Sequence, residues 1–144
     1  MKTWIFTLLL MIANFSLAQE KSTNPTELPK AQVFESKQTV TIDGKVINLQ
    51  AKAGTLQLKD ENNKPIALFG FTSYFKEGAG SERPIVFAYN GGPGSSSYWL
   101  HMGIMGPKRI VVEDPEYNQH APYQLVNNEF SILDVADVVM MDPV

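Results

Sequence analysis

The chain of 144 residues contains no cysteine and only two histidines, His101 and His120. The first absence excludes a disulfide framework, thiolate chemistry and a lipidated cysteine, and the second argues against a His-rich metal centre. No metal and no cofactor is expected. Basic clusters are missing too: 12 Lys and Arg stand against 15 Asp and Glu, for a formal net charge of -3. A nucleic-acid binder needs a Lys/Arg face to neutralise phosphates, so nucleic acid is set aside as a partner. Apolar runs of membrane-spanning length are also lacking, because the longest, Trp4 to Phe15, has about 12 residues where a bilayer helix needs roughly 20. What is present is 44% hydrophobic and 19% charged, the composition of a globular chain stabilised by packing alone.

The short apolar run has a different meaning. Lys2 precedes it, and Ser16-Leu17-Ala18 sets small residues at the two positions a signal peptidase reads, so residues 1–18 read as a signal peptide cut after Ala18. The mature chain is then expected to be secreted or periplasmic, with no membrane anchor. Losing Lys2 leaves 11 basic residues against 15 acidic ones, a net of -4, which offers nothing to an anionic membrane surface. Residues 19–37 are polar, carry Pro25 and Pro29 and lack periodicity, as a linker does.

From residue 38 the pattern becomes that of strands. Val40 and Ile42 alternate with threonines, Asp43-Gly44 supplies the positive backbone angles of a two-residue turn, and Val46, Ile47 and Leu49 follow. Thr55 to Leu58, a polar turn over Asp60 to Pro65, and Ile66 to Phe75 predict a second antiparallel pair beyond Gly54. After a loop from Lys76 to Arg83 comes Ile85-Val86-Phe87-Ala88-Tyr89, an unbroken apolar run suited to a strand covered on both faces.

That strand runs into Asn90-Gly91-Gly92-Pro93-Gly94-Ser95-Ser96-Ser97. Glycines let backbone N–H groups approach a ligand without side chains crowding it. Such a loop is able to build an oxyanion hole, in which the loss of one donor lowers the rate by about a hundred- to a thousandfold. Ser95 to Ser97 suit the cap of a short helix carrying Trp99, Leu100 and Met102, which would end near Gly103 or Gly106-Pro107. Ile110 to Val112 and Tyr123 to Val126 look extended, a turn falls near Asn127 and Asn128, and Val135 to Met141 reads as a second buried strand. His101, on the short helix, and His120, in a polar loop, are expected at the surface or behind a site rather than as bases. Asp134 and Asp137 are expected in turn and capping roles, and Ser95 to Ser97 as caps rather than nucleophiles.

The stretch from Asn90 to Ser97, followed closely by Gly106-Pro107, resembles the serine carboxypeptidase family, especially its bacterial secreted members. Leu133-Asp134-Val135-Ala136-Asp137 and Met141-Asp142-Pro143-Val144 are similar to the family's next strand and to the start of its D-x-P-V-G-x-G-[FY]-S segment, so the resemblance covers residues 38–144. It implies the N-terminal part of an α/β-hydrolase fold, in which antiparallel hairpins lead into a mostly parallel central sheet. It also implies a peptide substrate with a free C-terminus, with Asn90 and the Gly91 amide holding the terminal carboxylate and the Gly92 amide serving as an oxyanion donor.

This chain has Ser95 where many eukaryotic members have cysteine, and Ile104 where they have a carboxylate-binding glutamate. The family's G-E-S-Y-x-G nucleophile elbow and its later Asp and His have no counterpart here, so the chain alone is expected to be inactive. Two strands apolar along their length call for helices on both sheet faces, and a single short one is available, so an uncovered apolar patch and a partial domain are expected. Two other readings stay open: a proline iminopeptidase-like enzyme, whose loop begins with His where Asn90 stands, and a secreted non-enzymatic β-rich binding module. Edman sequencing of exported protein should begin at Gln19; a retained Met1 would rule out the signal peptide.

Overall fold

A computed structural model of the chain describes residues 28–92, 94–112 and 121–142. The residues read as a signal peptide, the first part of the stretch read as a linker, Pro93, His120 and Pro143-Val144 lie outside the described residues. Strand β1 (Val33–Ile42) and strand β2 (Lys45–Lys59) form the expected hairpin, closed by Asp43 at φ 48° and Gly44 at φ 72°. Two consecutive positive φ angles match the right-handed twist of the flanking strands, which is why Asp-Gly selects this turn. Alternation then decides the faces: Val40, Ile42, Ile47 and Leu49 are buried while Val46 is 66% exposed. β1 starts at Val33, so its first five residues come from the segment whose composition marked a linker over 19–37.

β2 does not break at Gly54. It continues to a turn in which Asp60 Oδ1 accepts from the amides of Asn62 and Lys64, both at 2.9 Å, and Asn63 takes a left-handed φ of 62°. The chain returns as β3 (Pro65–Lys76), antiparallel to β2. Gly54 has another purpose, since a Cβ there would overlap the Gln32 carbonyl. That carbonyl accepts from the Thr55 amide at 2.8 Å, and the Gln32 amide donates to Thr55 Oγ1 at 3.1 Å.

β4 (Ile85–Tyr89) and β7 (Asp137–Asp142) pair in parallel, and β7 inserts between β3 and β4 to give the order β1-β2-β3-β7-β4. Between them lie a three-residue helix α1 (Tyr98–Leu100), a π-helical turn (His101–Met105), and a small ribbon of β5 (Lys108–Ile110) with β6 (Leu125–Asn127). Asn127 leaves this ribbon to bond the outer edge of β1, its Oδ1 accepting from the Thr41 amide and its Nδ2 donating to the Thr41 carbonyl, both at 2.7 Å.

This architecture corrects the expected α/β-hydrolase fold. Among the described residues the chain is mostly β, and three of the four ladders in the main sheet are antiparallel. The physical reason is local: tight turns at 43–44 and 60–64 let the long segments from 33 to 76 pair with their neighbours. A parallel sheet needs helical crossovers over both faces, and α1 with its π-helical turn is the one helical piece described. β4 is corrected with it. It is an edge strand that turns Val86 and Ala88 inward, while Ile85, Phe87 and Tyr89 are 48%, 59% and 65% exposed. An apolar run reports that a strand is able to be covered twice, and it carries no record of whether the second cover is there.

The covered face holds Val40, Leu49, Tyr74, Leu133, Val138 and Met140, with Leu100, Met105 and Ile132 packed against them. One cluster of polar contacts joins this core to the start of β7. Arg83 Nε donates to Asp137 Oδ1 at 2.8 Å, its Nη1 to the Asp134 carbonyl at 3.0 Å, and its Nη2 to the carbonyls of Leu133 and Ala136 at 2.7 and 2.9 Å. The same Oδ1 accepts the Lys76 amide at 2.9 Å, and the Asp137 amide donates to the Pro84 carbonyl at 2.8 Å. Asp137 is thus one half of a buried ion pair rather than a turn residue, its side chain 11% exposed against 12% for Arg83. Breaking such a pair leaves a buried charge without a partner. Arg83→Met should lower stability by about 3–5 kcal/mol in urea unfolding; a loss under about 1 kcal/mol, the range of surface pairs, would show that the bond does not hold β7.

Candidate functional site

The loop over 90–97 leaves the carboxyl end of β4, beside the carboxyl end of β7, because the two strands run in parallel with Tyr89 opposite Met141. In sheets with parallel strands this end is where ligands bind. Gly92 has φ 93° and Gly94 φ 69°, backbone angles that a side chain disfavours. The Ser95 amide donates to the Gly92 carbonyl at 3.3 Å, closing a turn. Gly91 and Gly92 are exposed, and neither amide donates to a described residue. A Cβ on Gly91 would meet no atom within 4 Å, so its surroundings are open.

Asn90, expected to hold a substrate carboxylate, has its Nδ2 turned into the loop. It donates to Ser95 Oγ at 3.1 Å and, more weakly, to the Ser96 carbonyl at 3.5 Å. The far end of the loop is held by Asp142, the last described residue of β7. Its Oδ1 accepts from the Ser97 amide at 2.7 Å, Ser97 Oγ at 2.8 Å and Ser96 Oγ at 3.1 Å. Ser97 occupies the helix N-cap position, yet its side chain makes no cap hydrogen bond. Partial burial disfavours the Asp142 anion, but the Ser97 amide, the two hydroxyls and the nearby His101 outweigh it and hold the carboxyl below its usual range.

His101 opens the π-helical turn, half-buried over β3. Its Nε2 shares a 2.7 Å hydrogen bond with the hydroxyl of Tyr74, and the two rings lie 5.5 Å apart at 55°. Burial pushes the His101 pKa down, with Asp142 pulling the other way, and burial pushes the Tyr74 phenol up. Gly106 permits this, because a Cβ there would overlap the carbonyl and ring of His101. The turn behind is locked by Asn128, whose Nδ2 donates to the carbonyls of Ile104 and Gly106 at 2.8 Å each. Ile104 is 57% exposed, and Asp134 is exposed with its carbonyl on Arg83.

α1 also walls a mostly apolar cleft of about 310 Å³ lined by Tyr98, Trp99, Met102, Gly103, Ile110 and Tyr123. Chemically the loop has two exposed glycines whose amides are unengaged among the described residues, an arrangement able to take an anion or the oxygen of a polarised carbonyl. The hydroxyls of Ser96 and Ser97 donate to a carboxylate and His101 is engaged with Tyr74, so no serine–histidine hydrogen bond forms among the described residues. No group of three potential metal ligands is present among them either. Compared with known proteins, the chain matches no family model, no curated protein and no solved structure.

Sequence reasoning singled out the glycines but missed Asp142 and Tyr74. The available signal was a carboxylate closing a buried apolar strand, where a charge needs partners. A neutral, half-buried His101 has a further consequence. Its folded pKa lies below the unfolded value of about 6.5, so it contributes full stability above that pH and loses it as the pH falls from there toward the folded pKa. The melting temperature should therefore drop between pH 7.5 and 5, and His101→Gln should flatten the slope; an unchanged slope in the variant would refute the assignment.

Proposed function

We propose that the loop over 90–97 is the carboxylate- and carbonyl-binding element of a serine-type carboxypeptidase that works outside the cytoplasm on peptides with a free C-terminus. What supports it is that Gly91 and Gly92 are exposed and their amides donate to no acceptor among the described residues, at the carboxyl end of the parallel β4–β7 pair. In this role the Gly92 amide receives the oxygen on which charge develops and the Gly91 amide meets the terminal carboxylate, while the Asn90 side chain, bonded to Ser95 and Ser96, holds the loop. Preorganised donors lower the barrier because they need no reorientation as charge builds. The sequence holds no G-x-S-x-G elbow, so the chain by itself binds such a peptide and does not cleave it.

A second reading is favoured by one observation: the described residues are mostly β, with an apolar cleft beside the loop. A secreted, non-enzymatic binding module would use that cleft and take a peptide through its side chains.

The two readings separate on the peptide terminus. Amide-to-carboxylate hydrogen bonds contribute about 1.5–3 kcal/mol each, so the amidated form of a short apolar peptide should bind roughly ten- to a hundredfold more weakly than the free acid. The expected signature in an NMR titration is displacement of the Gly91 and Gly92 amide signals by the free acid. Equal binding of both forms would sink the carboxypeptidase reading and leave the binding module.

A further inference from the structure

The glycine loop has two anchors of unequal kind. One is internal, the Asn90 side chain on Ser95 and Ser96. The other reaches across the sheet to β7, where a single carboxylate oxygen of Asp142 gathers three donors from Ser96 and Ser97. Ser97 is 5% exposed, so its amide and hydroxyl have little water to turn to if Asp142 lets go. Between the anchors lie Gly92 and Gly94, which have no side chain to hold their conformation. We propose that Asp142 is the positioning residue of the loop: its ionised carboxylate sets the direction of the Gly91 and Gly92 amides, and neutralising it weakens anion binding there while the sheet persists.

The surroundings of Asp142 agree with this. Ser96 and Ser97 face it from the loop, and His101 bears on it from the π-helical turn. On β3 the neighbour is Gly70, where a Cβ would come within 3.3 Å of the carboxylate, so the strand leaves room for the side chain to stand upright. β4 sets Tyr89 opposite Met141 and brings no charge. Among the described residues His101 is thus the titratable group that bears on Asp142, and its burial keeps it neutral at pH 7. One effect opposes the proposal: a carboxylate near an anion site repels the anion. Screening by water keeps that repulsion small, whereas three charge-assisted bonds on one oxygen are roughly twice as strong as neutral ones. The anchor outweighs the repulsion.

The proposal rests on the anion-binding reading given above, and the experiment separates the two. In the 15N-labelled full chain, N-acetylphenylalanine at pH 7 is titrated into wild type, Asp142→Asn and Asp142→Ala, following the Gly91 and Gly92 amides against the core amides of Leu49 and Val138. Asp142→Ala should weaken binding at least tenfold and move the two glycine signals in the free protein, with the core signals in place. Asp142→Asn keeps an acceptor for Ser97 but loses the charge, so its affinity should fall between those of wild type and Asp142→Ala. With methanesulfonate, which stays ionised, wild-type affinity should fade only once the pH has fallen below the usual carboxylate range, where Asp142 takes up a proton, and that of Asp142→Asn should not. Tighter binding by Asp142→Asn than by wild type would mean that repulsion dominates and overturn the proposal. So would glycine signals and affinity unmoved in Asp142→Ala. If wild type fails to bind, the anion-binding reading fails alone, and the free-protein signals still judge the positioning role. If Asp142→Ala unfolds, Ser97→Ala, which removes one of the three donors, should shift the same two signals in the same direction, and its failure to do so counts against the proposal.

Discussion

The buried bond between the Arg83 guanidinium and the Asp137 carboxylate determines where β7 lies, and β7 in turn positions β4 and the anchor of the glycine loop. Arg83 binds the carbonyls of Leu133, Asp134 and Ala136 together with that carboxylate, so the turn entering the strand has one arrangement. Asp137 in turn takes the Lys76 amide at the end of β3, which places β7 between β3 and β4. Five residues further on, Asp142 emerges under the glycine loop. A carboxylate thus stands at each end of an apolar strand, and both would lose their partners if the pairing slipped by one residue.

This bracketing explains a sheet that carries parallel pairing without the usual helical layers. The hairpins from β1 to β3 are held by local turns and need no help from β7. The parallel pair closes through a long excursion over 90–136, and polar bonds at its two ends do what crossover helices do elsewhere. One face is covered by Leu100, Met105, Ile132 and Leu133. The opposite face of β4 keeps Ile85, Phe87 and Tyr89 in contact with water.

Where the chain makes contacts between near neighbours, its residues announced them. Asp43-Gly44 foretold a two-residue turn, and the alternation of Val40, Ile42, Ile47 and Leu49 foretold which side is buried, because both depend on a few adjacent positions. Gly54 misled: a glycine within a strand pattern reads as a break, whereas here it makes room for a distant carbonyl. The α/β-hydrolase expectation failed for a related reason. It rests on a resemblance carried by a few short motifs between Asn90 and Val144, and none of them states how the remaining strands are ordered. In the site, the glycines were legible because their freedom is a property of the residue itself. Asp142 and Tyr74 were not, since their parts depend on Ser97 and His101 arriving from elsewhere in the chain.

The amide of Asn127 also governs how the sheet meets its surroundings. A strand at the margin of a sheet presents a row of unpaired donors and acceptors to any other chain. By occupying both the donor and the acceptor of Thr41, Asn127 imitates one residue of a neighbouring strand and plugs that row at its C-terminal end. A foreign strand approaching this margin would have to stop short of Thr41. It would be left with the stretch that bears Glu35 and Lys37, whose charges resist stacking, so the carboxamide and these charges together oppose fibre-like growth along this border.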